Sequence, residues 1–390
     1  MAAPPSLRHS PGSPIRRYVL VLVALVACRH PDDRRALATA PWDTVLAWGR
    51  GTTVTWGMWR GDPSINRYVD DWVAPRLRQR FGITLNAVPG QGAELVNTLV
   101  VDRDANRRFG TVDLVWINGE TFFNLRREGL LYGPWAGRLP AAAEVDSASP
   151  IVSRDFEQIP EGYESPWGTV QFALVYDTSR TSHPPETYEA LRLWIHAHPG
   201  RFTYDQQFTG LTFLKCLMYA LNGGAGRFQG GFDSVRYAEA RDRTFAWLQE
   251  VTPDLWRHGV TYPQDIAQLD RLFANGEVDF AMSNNQNDVV TKIRSGVFPP
   301  SSRSYVPRDG TIANTHYVAI PFNALNPAGA MVVANFLLSP EAQAEKARPE
   351  VWGDGTVLKG DTVARRFAVP EVAPEYSIRL QDDWRARIRR

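Results

Sequence analysis

Short apolar runs alternate with helical patterns from residue 53 onward, and this alternation constrains the fold more than any other feature of the sequence. The runs that predict strands are TVTWGMW (53–59), ITLNAVP (83–89) and TVDLVWI (111–117). Helices are predicted from Ser64, from Ala93 and over Glu120–Arg127. In the first helix, Pro75 indicates a kink or an early stop. Elements in this order predict a mostly parallel sheet covered by helices.

The second half of the chain repeats this pattern after a stretch rich in Pro, Gly, Ala and acidic residues at 133–166. The extended runs are GTVQFALVYD (168–177), RFTYD (201–205), GEVDFAMSNN (276–285) and GTIANTHYVAIP (310–321). A helix is predicted over LTFLKCLMYALNGG, with a glycine C-cap at Gly223, and two short helices split by Ser339 and Pro340 follow the last run. The run at 168–177 indicates a crossover into a second lobe, and the run at 310–321 a return.

The N-terminus has the pattern of an export signal. Arg16 and Arg17 precede ten uncharged, mostly aliphatic residues, Tyr18–Ala27, and this run is too short to span a bilayer. Residues 25–28, LVAC, resemble the bacterial lipobox, so Cys28 is the predicted lipidation site. A plain signal cleaved after Ala40 and an uncleaved anchor are the alternatives.

Composition and missing motifs exclude several function classes. Without the first 27 residues, 40 basic side chains face 42 acidic ones, which argues against a nucleic-acid partner. The 39 arginines against four lysines are attributed to genome composition. Cys216 lies in an apolar helical run and is expected to be buried and inert. No Walker loop, GxGxxG, HExxH, CxxC or GxSxG motif occurs, so we expect no cofactor, no metal site and no catalytic residues.

Polar and aromatic residues are concentrated where the predicted strands end. In open α/β sheets, ligands bind outside the carboxyl ends of the strands. Turn and cap roles are the alternative, above all for Asp62, which precedes Pro63 as a helix N-cap would. The predicted ligand-binding residues are Trp59, Arg60, Gly61, Asp62, Asn118, Glu120, Trp167, Tyr204, Asp205, Ser283, Asn284, Asn285 and His316.

An ordered set of segments resembles the extracellular solute-binding proteins of ABC transporters, in a family 1-like subfamily related to thiamine-, iron- and polyamine-binding proteins. The segments are TVTWGMWRGDPSINRYVDDWV (53–73), TVDLVWINGETFFNLRREGLLYGPW (111–135), SPWGTVQFALVYD (165–177), RFTYDQQFTGLTFLKCLMYAL (201–221), GEVDFAMSNN (276–285) and NPAGAMVVANFLLSPEAQ (326–343). The resemblance covers about residues 50 to 350. The lipobox agrees with it, because such proteins are commonly tethered by lipid outside the cytoplasmic membrane.

The resemblance implies a type II periplasmic-binding-protein-like α/β fold with two lobes, each a mixed, mostly parallel sheet flanked by helices, joined by crossover strands. The expected division is a signal peptide at 1–28, a linker at 29–50, and two lobes. Lobe 1 takes 51–167 and lobe 2 takes 168–309, and each also takes part of 310–390.

The implied function is the extracytoplasmic solute-binding component of an ABC importer. Such a protein captures a small polar organic solute by hinge closure and delivers it to the permease and ATPase complex. A lipid-anchored monomer in the periplasm, or at the outer face of the cytoplasmic membrane, is expected. An exported transferase or hydrolase on the same scaffold is the alternative.

The candidate residues suit solutes of either charge. The sequence has no Tyr-Tyr pair, and adjacent tyrosines are what iron-binding relatives use. Aromatic residues such as Trp59 and Trp116, with carboxylates such as Asp62, would suit a cation such as thiamine or a polyamine. Arg60 and Arg308 would instead suit a carboxylate or a phosphate.

Overall fold

The larger of two sheets forms the centre of what we call the first lobe. The computed structural model describes Met1, residues 34–360 and residues 366–388, so the predicted signal segment and Cys28 lie outside the described residues. Strands of the larger sheet are β1 (Thr53–Met58), β2 (Thr84–Pro89), β3 (Leu114–Ile117), β4 (Leu131–Tyr132) and β5 (Glu164–Gln171), with β9 (Thr311–Pro321) and β10 (Ala368–Val369) from the end of the chain.

The order β2-β1-β3-β9-β10 sets the topology of this sheet. β1 pairs in parallel with β2 and β3, as strand–helix alternation predicts, whereas β9 runs antiparallel to β3. β5 lies antiparallel along β9, from Glu164 opposite Ala319 to Gln171 opposite Ala313. β5 and β9 are therefore the pair of strands through which the chain leaves the first lobe and returns.

The smaller sheet forms the centre of the second lobe and is antiparallel. It contains β6 (Ala173–Asp177), β7 (Phe280–Ser283) and β8 (Ser302–Tyr305) in the order β7-β6-β8, and both outer strands run antiparallel to β6. The predicted α/β fold with two lobes is confirmed. The sheet of the second lobe, however, is antiparallel and not mostly parallel as predicted. β7 and β8 are connected by a helix and run in the same direction. β6 comes from the crossover and lies between them in the opposite direction.

Helices cover both sheets. In the first lobe they are α1 (Arg34–Thr39), α2 (Trp42–Gly49), α3 (Pro63–Arg67), α4 (Ala74–Phe81), α5 (Gly92–Asp104), α6 (Gly119–Arg127), α7 (Pro150–Ser153), α13 (Pro327–Leu337) and α14 (Pro340–Ala347). In the second lobe they are α8 (Tyr188–Ala197), α9 (Phe208–Leu221), α10 (Ser234–Val251), α11 (Ile266–Ala274), α12 (Asp288–Arg294) and α15 (Pro374–Arg387). None of the helices within the described ranges is long and apolar enough to cross a membrane.

Pro75 neither stops nor breaks its helix. A π-helical segment, Tyr68–Val73, joins α3 to α4, and the helix continues to Phe81. Proline has no N–H with which to bond the carbonyl four residues earlier, and the wider π-helical turns just before it accommodate that missing bond.

Each lobe has its own hydrophobic core. Trp56 and Trp167 are fully buried in the first, and Phe213 and Phe280 in the second. Part of the segment predicted as a linker is folded, since Leu37 of α1 is fully buried in the first core. A buried segment of this kind adds apolar contacts to the core and does not act as a flexible spacer.

Two features of the second lobe bear on the sequence predictions. Cys216 is fully buried, and burial raises the pKa of its thiol to about 12, as expected of an inert cysteine. RFTYD (201–205) is extended but joins neither sheet, so the strand prediction there is wrong. Its carbonyls accept instead from loop N–H groups, that of Arg201 from Asp279 at 2.8 Å and that of Phe202 from Trp256 at 2.9 Å.

Candidate functional site

The two lobes face each other across a surface that we call the interlobe cleft. On the first lobe it is built by the loop that follows β1 (59–62) and by the short loop that follows β3 and leads into α6 (118–120). The first loop faces α12 of the second lobe, because Asp62 interacts electrostatically with Asp288 and Lys292. The second loop faces α9, because Glu120 interacts with Lys215. The cleft thus has two flanks, each at the carboxyl end of a parallel strand.

The loop after β1 is shaped by its own contacts. Asp62 caps α3, with Oδ1 accepting from the N–H groups of Ser64 at 2.6 Å and Ile65 at 3.1 Å. Both cap bonds end on Oδ1, which leaves Oδ2 for other partners. The Trp59 ring lies over Gly61, where a Cβ atom would come within 2.7 Å of it. Only glycine therefore fits under this indole in its present position.

Lys292 is the positive charge of the first flank. Its Nζ lies 2.8 Å from Asp270 Oδ2 and 2.7 Å from Asp288 Oδ2. Burial lowers the pKa of Lys292, but the two aspartates outweigh burial and raise it overall. Burial raises the pKa of Asp270 to about 6, and burial followed by repulsion from Asp288 raises the pKa of Asp62. Lys292 alone does not compensate all three carboxyl groups.

Lys215 is the corresponding positive charge of the second flank. It is fully buried, and its Nζ lies 2.7 Å from Glu371 Oε2. Glu120 and Asp155 of the first lobe also interact electrostatically with it. Burial raises the pKa of Glu120 although Lys215 and Arg385 lower it, and burial raises the pKa of Asp155 well above its usual range.

An aromatic group forms the first-lobe wall of the cleft. Trp116 and Trp167 meet edge to face at 4.9 Å, and His316 stacks on Trp352 with 8° between the ring planes. His316 Nε2 lies 3.0 Å from Asp354 Oδ1. Trp167 is fully buried and His316 is 6% exposed, so these two predicted residues support the wall from behind.

The aspartate behind this wall is itself paired. Asp354 Oδ2 lies 2.7 Å from Lys346 Nζ, and both side chains are fully buried. Lys346 holds the Asp354 carboxylate in place beside His316, because leaving a buried charge without its partner would cost folding free energy.

The end of β7 and the turn that follows it carry Ser283, Asn284 and Asn285 to the cleft. Ser283 Oγ donates to Asp288 Oδ2 at 3.0 Å, and Asn284 Nδ2 donates to Thr209 Oγ1 in the first turn of α9 at 2.9 Å. Asn285 Nδ2 donates across the cleft to the Trp352 carbonyl at 3.4 Å. These three residues therefore link α12, α9 and the first lobe.

A small cavity of about 70 Å³ lies at the crossover side of the cleft. It is lined by the end of β5 (169–171), the turn at 285–287 and the segment 353–356. Asn287 Nδ2 donates to the Gly353 carbonyl at 2.9 Å beside it. The lobes are thus in contact here.

The remaining predicted residues have different surroundings. Tyr204 is buried among Phe213, Tyr262 and Trp384, and its hydroxyl accepts from Trp384 Nε1 at 2.9 Å. Asp205 Oδ1 accepts from the Gln207 N–H at 2.8 Å within the same lobe. The structure therefore places both in the second lobe's own packing, where they support the start of α9.

The residues that sequence reasoning missed are the two cleft lysines. The chain has only four lysines among 43 basic residues; Lys215 and Lys346 are fully buried, Lys292 is mostly buried, and all three are paired with carboxylates. Three of the four lysines place a compact ammonium beside carboxylates, and the fourth, Lys359, is exposed. The rarity of lysine was the signal available in the sequence.

Comparison with known proteins agrees with this two-lobed geometry. Residues 72–361 match the bacterial extracellular solute-binding protein family. The protein YnjB of Escherichia coli (strain K12) is 38% identical over 329 residues, which are 83% of this chain and 84% of YnjB. The chain belongs to the bacterial extracellular solute-binding protein family. The resemblance predicted from the ordered segments is confirmed.

Solved structures of periplasmic binding proteins share the fold of this solute-binding protein. Iron-bound HitA from Pseudomonas aeruginosa has a TM-score of 0.61 at 15% identity, covering 85% of this chain and 99% of HitA. A periplasmic thiamin binding protein has a TM-score of 0.61 at 16% identity, covering 87% and 96%. At such identities the likeness shows the fold and not the ligand.

Family membership gives this solute-binding protein its role. It is the substrate-binding component of an ABC transporter, with a small-molecule ligand and a permease as partners, and it acts outside the cytoplasm. The family match does not favour the alternative of an exported enzyme. Over the described ranges, no group of three or more His, Cys, Asp or Glu side chains is placed to hold a metal ion.

Proposed function

We propose that the solute is a small organic cation, enclosed between the two lobes when they close. The observation that carries this proposal is the charge of the two cleft flanks. In each flank the carboxyl groups outnumber the positive charges: Lys292 lies with Asp62, Asp270 and Asp288, and Lys215 lies with Glu120, Asp155 and Glu371, where Arg385 also acts on Glu120. A cation placed between the flanks would meet an excess of negative charge.

The carboxyl groups from the first lobe are the undercompensated members. The pKa values of Asp62 and Glu120 are raised chiefly by burial, which disfavours the ionised form in the absence of enough positive charge nearby. A bound cation would favour ionisation of both groups. Cation binding should therefore release protons and weaken as the pH falls.

The arginines that would suit an anionic solute have partners within their own lobes. Arg60 lies 2.5 Å from Asp70, and Arg308 lies 2.6 Å from Glu186. An anion would have to compete with these carboxylates. Trp59 and Trp116, both partly exposed beside the cleft, add aromatic faces that attract cations.

Closure supplies the mechanism of capture. Ligand contacts that exist only when both flanks meet shift the population from open to closed, and this difference in affinity is sufficient to retain the solute without a covalent step. β5 and β9, together with the later crossing from β10 to α15, would act as the hinge, since the chain passes between the lobes there.

The mature protein is proposed to be a monomer anchored through a lipid on Cys28. Fractionation tests the anchor: the wild type should sediment with membranes, and Cys28→Ala should not. Equal sedimentation of both would contradict lipidation at Cys28.

A thermal-shift series tests the ligand class. Thiamin, spermidine and choline are compared with fructose 6-phosphate and glutamate, and stabilisation should grow with the concentration of a cation, by about 2.7 kcal/mol at a hundredfold excess over Kd. Stabilisation by anions alone would overturn the proposal. Chemical conversion of the ligand, detected by chromatography, would instead favour an enzyme.

A further inference from the structure

A tight turn at residues 155–158, here called the clasp turn, connects the two lobes. Asp155 and Gln158 exchange backbone hydrogen bonds of 3.0 and 2.9 Å. Between them Phe156 and Glu157 have φ values of 47° and 62°, in the left-handed region that residues other than glycine rarely adopt. Two consecutive residues in this region are held there only when the surrounding contacts enforce it.

The first-lobe contacts of the clasp turn converge on Gly119. Asp155 Oδ2 accepts from the Gly119 N–H at 2.5 Å, and Gln158 Nε2 donates to the Gly119 carbonyl at 3.1 Å. The Phe156 ring covers the same residue, because a Cβ atom on Gly119 would lie 2.3 Å from it. The clasp turn thus fixes the residue between Asn118 and Glu120, in the cleft loop itself.

The second-lobe contacts come from the two left-handed residues. Glu157 Oε1 accepts from the Gly230 N–H and Oε2 from the Gly231 N–H, each at 3.0 Å. Both glycines have φ of 92°, a conformation that turns consecutive N–H groups toward one carboxylate. Phe156 lies beneath Lys215, with Nζ 4.6 Å from the ring centroid.

We propose that Glu157 is a positioning residue for solute binding, which holds the lobes closed and couples closure to the cleft loop through Gly119. Its hydrogen bonds to Gly230 and Gly231 join the lobes and can form only when they meet. They therefore add to the stability of the closed form without touching the solute. This role depends on the lobe closure of the proposed function and not on the charge of the solute.

Distance measurements between the lobes test this role without any ligand. Spin or fluorescent labels are attached at Val101→Cys and Val260→Cys, whose native residues are 59% and 83% exposed, in a Cys28→Ser background where Cys216 is buried. Glu157→Gln removes one acceptor oxygen and should lower the ratio of closed to open molecules roughly fivefold, and Glu157→Ala at least as much. The melting temperature of the ligand-free protein should fall by at most a few degrees in Glu157→Gln, because no more than one hydrogen bond of the closed form is lost.

The matched control is Glu161→Gln. Glu161 lies four residues away, but its carboxylate pairs at 2.6 Å with Arg126 of the same lobe, so the distance distribution should not move. Identical distributions for Glu157→Gln and wild type, or an equal shift in Glu161→Gln, would overturn the proposal. A wild type with no short-distance population would overturn it too. Failure of every cation to bind would refute the proposed ligand class and leave these distances as an independent result.

Discussion

Gly168 and Asp354 approach so closely that a Cβ atom on Gly168 would lie 2.0 Å from Asp354 Oδ2. The same atom would lie 2.2 Å from His316 Nε2. Glycine is required here by close approach and not by its backbone angles, since φ at this position is not positive. The packing of this wall therefore requires a residue without a side chain at position 168.

Gly168→Ala should destabilise the protein by about 1–3 kcal/mol, because the added methyl group must displace the buried Asp354–Lys346 pair. Urea unfolding measures the loss. Gly137→Ala is the matched control, since nothing lies within 4 Å of a Cβ atom there. Equal stability of the two variants would show that the wall can rearrange.

Asp62→Asn should weaken cation binding while leaving the fold intact. Asparagine caps helices about as well as aspartate, so the bonds to Ser64 and Ile65 can persist while the charge facing Lys292 disappears. Calorimetric titration with the stabilising cation gives the affinity, and thermal unfolding gives the stability. Asp233→Asn, at the cap of α10 in the second lobe, should change neither. Unchanged affinity in Asp62→Asn would remove Asp62 from the ligand site.

Asp205→Asn should stabilise the protein at alkaline pH. Burial raises the pKa of Asp205 from 3.8 to about 6, so the folded state holds its proton more tightly than the unfolded state. The favourable contribution of Asp205 is complete below pH 3.8 and is lost as the pH rises through about 6. Unfolding at pH 8 should show a gain of about 3 kcal/mol for the variant, because asparagine carries no charge to bury.

The same variant should gain little at pH 4, where aspartate is protonated in the folded protein. The amide oxygen of the introduced asparagine can still accept from the Gln207 N–H, so the start of the following helix is preserved in the comparison. A gain that does not depend on pH would mean that the carboxyl charge is not its cause.

Lys292→Met should be strongly destabilising, by about 3–5 kcal/mol, because it leaves Asp270 and Asp288 buried without their counter-charge. Denaturant unfolding at neutral pH measures the loss. The loss should shrink as the pH falls, because burial raises the pKa of Asp270 to about 6 and this carboxyl group then takes up a proton. Lys359→Met, at an exposed site where Nζ donates to the Ala143 carbonyl, is the control and should have little effect.

Features set by local sequence were predictable. The alternation from residue 53 indicated the parallel order of β1, β2 and β3. Asp62 before Pro63 indicated the cap that the structure contains. Such signals reside in a few adjacent residues, where backbone preferences and side-chain caps decide the conformation.

Features set by distant partners were not predictable. Lys215 pairs with Glu371, which follows it by 156 positions, and no spacing rule links them. The reversed direction of β6 depends on how the crossover enters the second sheet. RFTYD has the composition of a strand, but its carbonyls are satisfied by loops, so tertiary contacts override propensity there.

The burial of three of the four lysines gives the native surface an unusual chemistry. Lys215 and Lys346 have no exposed side-chain surface and Lys292 has 12%, which leaves Lys359 as the accessible side-chain amine. An amine-reactive reagent should therefore modify the folded protein at Lys359 and reach the other three only when the lobes or their cores open. Acylation at Lys215 or Lys292, read by peptide mass spectrometry, would give a covalent record of how often each flank is exposed to solvent.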